Sequence, residues 1–155
     1  TSLLVPIGLI TLISGLMYFV QSMQGGNGYA LARTGLPFAF VSVIGWTITT
    51  GFSLSIATGV SESPVMAQAF FGINIPATAL FGVGGILIAL GASTREELNS
   101  TLSLGAALAA TVVFITAFIV PFVPDQANTI NIVTGLCFII YTIWSIIIGR
   151  GMIKG

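Results

Sequence analysis

Ionisable side chains are scarce in this chain of 155 residues, which has four Lys or Arg, four Asp or Glu and no His. Charged residues are 5% of the composition and hydrophobic residues 55%, whereas soluble domains carry about 25% charged residues. A soluble domain with so few charges would expose large apolar patches and aggregate. The composition therefore predicts an integral membrane protein embedded in the lipid bilayer. The net charge of zero argues against nucleic-acid partners, which require a basic surface.

The absence of His and the single Cys exclude most metal and redox chemistry. Haem, copper, zinc and non-haem iron sites depend heavily on His, and one Cys cannot hold an iron–sulfur cluster or form an internal disulfide. Cys137 lies in an apolar run and is predicted to be a small buried hydrophobe. We expect no metal and no cofactor, with a bound lipid as the remaining non-protein ligand. General acid–base catalysis also lacks candidates, so the sequence predicts a protein that is not an enzyme.

Long apolar stretches predict an all-α bundle of transmembrane helices in one domain, residues 1–155. About 20 apolar residues are needed to cross a bilayer. The predicted spans are residues 3–23, 37–59, 65–92, 101–120 and 128–149. Pro37 is expected to start the second span, because proline is tolerated in the first helical turn. Ser93 with Glu96, or Thr94 with Glu97, matches the spacing of a capping box and is expected to open the next helix.

All the basic residues fall on one side of this five-span arrangement. Arg33, Arg95, Arg150 and Lys154 belong to the first loop, the third loop and the C-terminal tail, while Glu62 and Asp125 belong to the second and fourth loops. Cytoplasmic loops carry the excess of Lys and Arg. The sequence therefore predicts an outside N-terminus and a cytoplasmic C-terminus, in a cell (plasma) membrane.

Asn74 and Pro76 form the candidate polar site of the third span. Proline removes one helical hydrogen bond and clashes with the preceding turn, so we expect a kink or a short break between Gly72 and Pro76. An amide in hydrocarbon needs hydrogen-bond partners. Asn74 could satisfy the interrupted backbone locally, or it could help to bind a polar ligand at a discontinuous helix. The local structural role is the favoured interpretation.

Small residues at four-residue spacing form candidate packing faces, since they allow helices to approach closely. The main candidate is Gly51, Ser55 and Gly59 in the second span; Ser103, Ala107 and Thr111 in the fourth span and Gly85 and Ala89 in the third continue the pattern. We expect packing inside the bundle more than contact with another chain.

The second span is also rich in hydroxyl groups. Its hydroxyl residues are Ser42, Thr47, Thr49, Thr50, Ser53, Ser55 and Thr58. Hydroxyls can donate to carbonyls of the preceding turn, which lets them enter a membrane helix at little cost. A subset on one face could instead line a path for a neutral solute. The local bonding is the favoured interpretation.

Residues 77–82, Ala-Thr-Ala-Leu-Phe-Gly, together with the region of Ser103 and Leu104, resemble the third span of the urea and amide channel family. The resemblance covers a small part of the chain. It implies a helical membrane protein that conducts neutral polar solutes. Members of that family usually have six spans, whereas this chain has five predicted spans, and no site residue is transferred from the resemblance.

Of three candidate functions, an intramembrane enzyme has the least support, and the other two follow. The first is a small non-catalytic membrane subunit that scaffolds or stabilises a larger protein complex, including an accessory subunit of a membrane enzyme. The second is a small channel or facilitator for a neutral polar solute, acting as a homo-oligomer. No Asp, Glu, Lys or Arg lies deep in a predicted span, which argues against proton pumps and ion-coupled transporters.

The topology can be tested by labelling single introduced cysteines from either side of the membrane. Ser61→Cys and Gln126→Cys are expected to react with an impermeant maleimide in intact cells. Asn27→Cys and Thr94→Cys should react only after permeabilisation, because their loops belong to the side with the arginines. Cys137 can be replaced by Ala to remove background. The reverse pattern would invert the model.

Overall fold

The computed structural model describes residues 4–59 and 64–154, which form a bundle of α-helices. The described helices are α1 (Leu4–Ser22), α2 (Tyr29–Ala57), α3 (Pro64–Ser93), α4 (Ser100–Ile119) and α5 (Ala127–Lys154), with short 3₁₀ turns at Val120–Phe122 and Pro124–Gln126 between α4 and α5. All five are long and apolar enough to cross a membrane. The predicted all-α fold with five spans is therefore confirmed at this level.

Successive helices run antiparallel, so their connections gather at two ends of the bundle. The α1–α2 and α3–α4 loops meet at one end, here called the Arg95 end, where Arg95 Nη1 donates to the carbonyl of Met23 at 3.3 Å. The α4–α5 connection lies at the opposite end, here called the Asp125 end. Glu62 lies outside the described residues. The side of the membrane that each end faces stays a prediction.

The basic residues lie at the Arg95 end but mostly within helices rather than loops. Arg33 lies in the first turns of α2, and Arg150 in the last turns of α5. Arg33 and Arg150 were predicted to lie outside the spans, because a charged residue was expected to mark the end of a span. Helices extend beyond the hydrocarbon into the headgroup region, where an arginine side chain can reach water.

The predicted start of the second helix at Pro37 is wrong. α2 begins at Tyr29 and contains Pro37 in its interior. Gly28, with φ of 77°, precedes the helix in the left-handed conformation that glycine adopts without strain. Residues 29–36 contain no proline, and their one glycine, Gly35, packs against α3, so the helix starts directly after Gly28.

The predicted capping box is also wrong. The Ser93 and Thr94 hydroxyls donate backwards to the carbonyls of Leu90 and Gly91, both at 2.8 Å, and thereby close the end of α3. α4 instead begins at Ser100, and its cap is Asn99, whose Oδ1 accepts from the Leu102 amide at 3.0 Å. Glu96 and Glu97 lie in the loop between α3 and α4. The spacing of a capping box is present, but its Ser and Thr residues bond to the end of the preceding helix.

α3 continues through Pro76 without a break, and every residue of Pro64–Ser93 is helical. The expected break between Gly72 and Pro76 is therefore wrong, and a kink stays a prediction. The Thr78 hydroxyl donates to the Asn74 carbonyl at 2.8 Å, which adds a hydrogen bond beside the proline. One missing amide donor in a long helix does not interrupt it when the flanking residues retain their bonds.

The closest helix contact is the α2–α3 seam, whose buried residues are mostly small and are mostly spaced three or four residues apart. The buried seam positions are Ala32, Gly35, Ala39, Ser42 and Thr49 on α2 and Ala77, Phe81, Gly84, Ile88 and Gly91 on α3. A Cβ atom at Gly84 would lie 2.8 Å from both the Ala39 nitrogen and the Gly35 oxygen. An average period of 3.5 residues is the pattern of left-handed helix pairs, and small side chains let the two backbones touch.

α3 lies at the centre of the bundle because α4 packs against its other side. A Cβ atom at Gly85 would lie 3.1 Å from the Ala110 Cβ, and Ala89, Ser103 and Ala107 are all buried. The most apolar stretch of α3 is 56% buried, against 22% in α1 and α5. Packing inside the bundle is therefore confirmed for Gly85, Ala89, Ser103 and Ala107, while Thr111, the third residue of the fourth-span face, is only half-buried.

The predicted face of Gly51, Ser55 and Gly59 does not pack inside the bundle. Gly51 and Gly59 are exposed, and a Cβ atom at either would meet nothing within 4 Å. Gly59 is not even part of the face, because α2 ends at Ala57 and Gly59 follows the cap with φ of 69°. This left-handed glycine is the usual residue after a helix C-cap. Internal packing was thus a wrong expectation here, while contact with another chain stays a prediction.

Replacing Gly84 by Ala tests the α2–α3 seam. The added methyl group would press on the backbone of α2, which cannot rotate away, and overpacking lowers the free energy of unfolding by about 1–3 kcal/mol. Thermal unfolding of the detergent-solubilised protein, followed by circular dichroism, measures this. Gly105→Ala in α4 is the matched control, because its methyl group meets nothing within 4 Å. A Gly84→Ala variant as stable as Gly105→Ala would contradict the seam.

Candidate functional site

A cleft opens between α2, α3 and α5 in the half of the bundle nearer the Asp125 end. It consists of two adjoining spaces of about 450 and 510 Å³, both open to the outside of the bundle. Trp46, Phe70, Asn74 and Phe138 line both spaces, which makes them one continuous site, here called the Asn74 cleft. Helices α1 and α4 contribute its outer walls.

Aromatic rings form the inner wall of the Asn74 cleft. Trp46, Phe81 and Phe138, from three different helices, pack with ring centroids 5.0–5.4 Å apart. Phe81 continues to Tyr141 at 5.2 Å, and Tyr141 continues to Trp144 at 4.9 Å. Tilted and edge-on pairs at these distances are favourable, so the wall is rigid and mostly apolar.

Asn74 brings an amide group to this aromatic wall. It is half-buried, and its side chain makes no hydrogen bond to any residue in the described part of the chain. The local role that the sequence favoured, in which the Asn74 amide satisfies the interrupted backbone, is therefore wrong. An amide away from water without partners is unfavourable, and Asn74 can both donate to and accept from a ligand.

Two pairs of polar side chains in the cleft bond to each other, whereas the exposed Asn131 side chain and the buried Tyr141 hydroxyl also line it, and that hydroxyl has no partner among the residues described. The Trp46 Nε1 donates to the Thr78 Oγ1 at 3.3 Å, and the Thr134 hydroxyl contacts the Thr116 hydroxyl at 2.9 Å. None of the described residues that line the cleft is Asp, Glu, Lys or Arg. The cleft therefore suits an uncharged ligand, since an ion would find no opposite charge in it.

Five of the seven hydroxyl residues predicted to bond locally do so, while the buried Ser42 hydroxyl has no partner among the residues described. Thr47, Thr49, Thr50, Ser53 and Thr58 each donate to a carbonyl three or four residues earlier. Three of them, Thr49, Thr50 and Ser53, also line the Asn74 cleft. Having donated their protons locally, these oxygens are left with lone pairs that can accept from a ligand.

A second polar cluster lies at the Arg95 end and holds the loops together. Arg95 forms an ion pair with Glu97, with Nη2 and Oε2 2.7 Å apart. Its guanidinium also packs on Gly26, where any Cβ atom would collide with it. Because Arg95 binds a backbone carbonyl and a carboxylate of its own loop, the cluster has a structural role.

Three further side chains with a thiol or hydroxyl group are buried, namely Cys137, Ser42 and Tyr141. Cys137 is buried among apolar side chains of α4 and α5, as predicted. In residues 4–59 and 64–154, His, Cys, Asp and Glu form no group of three or more that could hold a metal ion. The Ser42 and Tyr141 hydroxyls are buried and have no partner among the residues described.

Comparisons with known proteins do not assign a function to the cleft. The chain matches no protein-family model, no curated protein and no solved structure. Asn74 was found from the sequence alone, whereas Trp46 was missed. One signal could have indicated it: Trp46, Phe81 and Phe138 lie at similar depths of three predicted spans.

Two substitutions distinguish a ligand-binding Asn74 from a structural one. Asn74→Leu should leave the free energy of unfolding unchanged or raise it, because it removes an unpartnered amide. Thr78→Val should lower it by about 1 kcal/mol, because the Trp46 indole loses its acceptor. Thermal unfolding of both purified variants gives the comparison. A larger loss in Asn74→Leu than in Thr78→Val would assign the amide to the fold.

Proposed function

We propose that this chain is a non-catalytic integral-membrane subunit that stabilises a larger membrane protein complex. The observation that carries the proposal is the uncovered surface around Gly51 and Ser55 on α2. Gly51 exposes helix backbone with open space beside it, and Ser55 lies one turn away on the same side. Small residues at this spacing are the usual contact points between membrane helices.

The chemistry of the chain supports a non-catalytic role. The described Arg, Asp and Glu side chains lie at the two ends of the bundle, and the described lining of the Asn74 cleft contains none of them. General acid–base catalysis and ion coupling need titratable groups where the reaction occurs. A chain of this kind contributes contacts and shape to an assembly. We place it in a cell membrane with the Arg95 end in the cytoplasm, because three arginines lie there.

The second candidate function is a homo-oligomeric facilitator for a neutral polar solute. The uncharged polar lining of the Asn74 cleft favours it. The half of the bundle nearer the Arg95 end, however, is filled by buried side chains that include Phe19, Ile88 and Trp144. A solute would therefore have to continue between copies of the chain, which is why this function ranks second.

Ser55→Leu tests the proposed docking surface. A bulky side chain there should keep a partner helix away and reduce co-purification of partner subunits on the order of tenfold, equivalent to about 1.4 kcal/mol. Gentle extraction followed by native mass spectrometry measures the composition of the particle. Ser14→Leu on α1 is the control, because Ser14 is an exposed helical serine on another helix, whereas Ser55 is half-buried.

The same experiment separates the two functions. Loss of different protein subunits in Ser55→Leu, with retention in Ser14→Leu, supports the accessory subunit. The facilitator is supported if the wild-type particle contains only copies of this chain and if Ser55→Leu loses both the ring and the solute flux in liposomes. An unchanged particle and unchanged flux would mean that this surface contacts only lipid.

A further inference from the structure

The Asn74 cleft continues into an apolar groove between α1 and α5. The groove has a volume of about 560 Å³ and is lined mostly by apolar side chains and glycines of both helices. Its hydroxyl residues, Thr11, Thr142 and Ser145, donate to carbonyls of their own helices. Val5, Leu9, Leu12 and Thr142 line the cleft and the groove alike, so the two spaces join. The two helices make few direct contacts with each other, which leaves the groove between them.

The groove has the length of a lipid tail. It runs along α1 from Val5 to Phe19, a distance of roughly 21 Å at about 1.5 Å per residue. One leaflet of the hydrocarbon core is about 15 Å thick. The α1 side of the groove also leaves room for a tail, because a Cβ atom at Gly8 or Gly15 would meet nothing within 4 Å.

We propose that the cleft and the groove together bind one uncharged lipid, whose head carries hydroxyl and carbonyl oxygens. The head lies in the Asn74 cleft, and one hydrocarbon tail follows the α1–α5 groove towards the Arg95 end. This inference does not rest on the proposed subunit function, because the site is formed within a single chain.

Charge determines the class of head group. None of the described residues lining the cleft or the groove is Asp, Glu, Lys or Arg. A phosphate would be buried there without a counterion, which is costly, while Arg33, Arg95 and Arg150 lie at the opposite end. An uncharged head avoids this penalty.

Hydrogen bonding determines what the head must carry. The Asn74 amide supplies two N–H donors, which match carbonyl oxygens, and one acceptor oxygen. The hydroxyl oxygens of Thr50 and Ser53, which donate to their own helix, accept from a hydroxyl of the head. A head with both kinds of oxygen satisfies the amide that the protein itself leaves without a partner.

Binding can be measured with a pair of probes that share one tail. The purified chain in a non-ionic detergent is titrated with monooleoylglycerol, and in parallel with lyso-phosphatidylglycerol bearing the same oleoyl chain. Native mass spectrometry counts bound lipid. We expect one monooleoylglycerol per chain and no comparable retention of the anionic probe.

Substitutions at the two ends of the site separate head from tail recognition. Asn74→Leu should weaken monooleoylglycerol binding on the order of tenfold, and Gly15→Leu should weaken it by filling the groove. Gly105→Leu is the control, because Gly105 is an exposed glycine that lines neither the cleft nor the groove. Unfolding curves establish that each variant is folded before it is compared.

The orientation of the lipid can be read from the two tryptophans, since Trp46 lines the cleft and Trp144 lines the groove. A monoacylglycerol brominated in mid-chain should quench Trp144 fluorescence in Trp46→Phe more strongly than Trp46 fluorescence in Trp144→Phe. Equal binding of the anionic probe, or binding unaffected by both Asn74→Leu and Gly15→Leu, would overturn the proposal and leave only annular lipid. Stronger quenching of Trp46 would overturn the assigned orientation.

Discussion

The backbone contact of α2 and α3 at Gly35 and Gly84 determines the arrangement of the whole bundle. Lipid provides no hydrophobic force to bring membrane helices together, so dispersion between closely packed atoms must do it. That contact places α3 at the centre, and α4 then packs on its opposite side through Gly85. Further along the same two helices, Trp46, Phe70 and Asn74 replace the small residues, and there the space between helices becomes the Asn74 cleft.

The helices could be predicted from the sequence, but their ends and contacts could not. Apolar stretches long enough to cross a bilayer leave little choice of structure, because an unpaired backbone is excluded from hydrocarbon. The start of the second helix was predicted wrongly because proline often occupies the first turn of a helix. The start of the fourth helix was predicted wrongly because a serine hydroxyl can cap the beginning of a helix or, as Ser93 does, donate to a carbonyl at the end of one. The α2–α3 seam was not predicted, because its small residues are spread over more than three helical turns. Gly51, Ser55 and Gly59 follow one another at a regular spacing of four residues, which is easier to find in a sequence.

The polar residue of the candidate site could be predicted from the sequence, but its aromatic wall could not. An amide in an apolar helix is a rare residue in an unfavourable environment, so Asn74 can be identified without any structure. Trp46 and Phe138 are ordinary residues of membrane helices, and their importance depends on the register of α2 against α3 and α5. Register is fixed by packing, as the contact of the Trp46 indole with Thr78 shows, and a single sequence does not reveal which side chains meet.

The contrast between the two halves of the bundle has a mechanical consequence. Where α2 and α3 touch through their backbones, the protein is nearly incompressible, since interiors of this density transmit strain rather than absorb it. Where the helices enclose the Asn74 cleft, there is free volume that can shrink or grow. A side chain that grows by one methyl group is therefore tolerated at the edge of the cleft more easily than at Gly35 or Gly84, where it would meet the backbone of the facing helix.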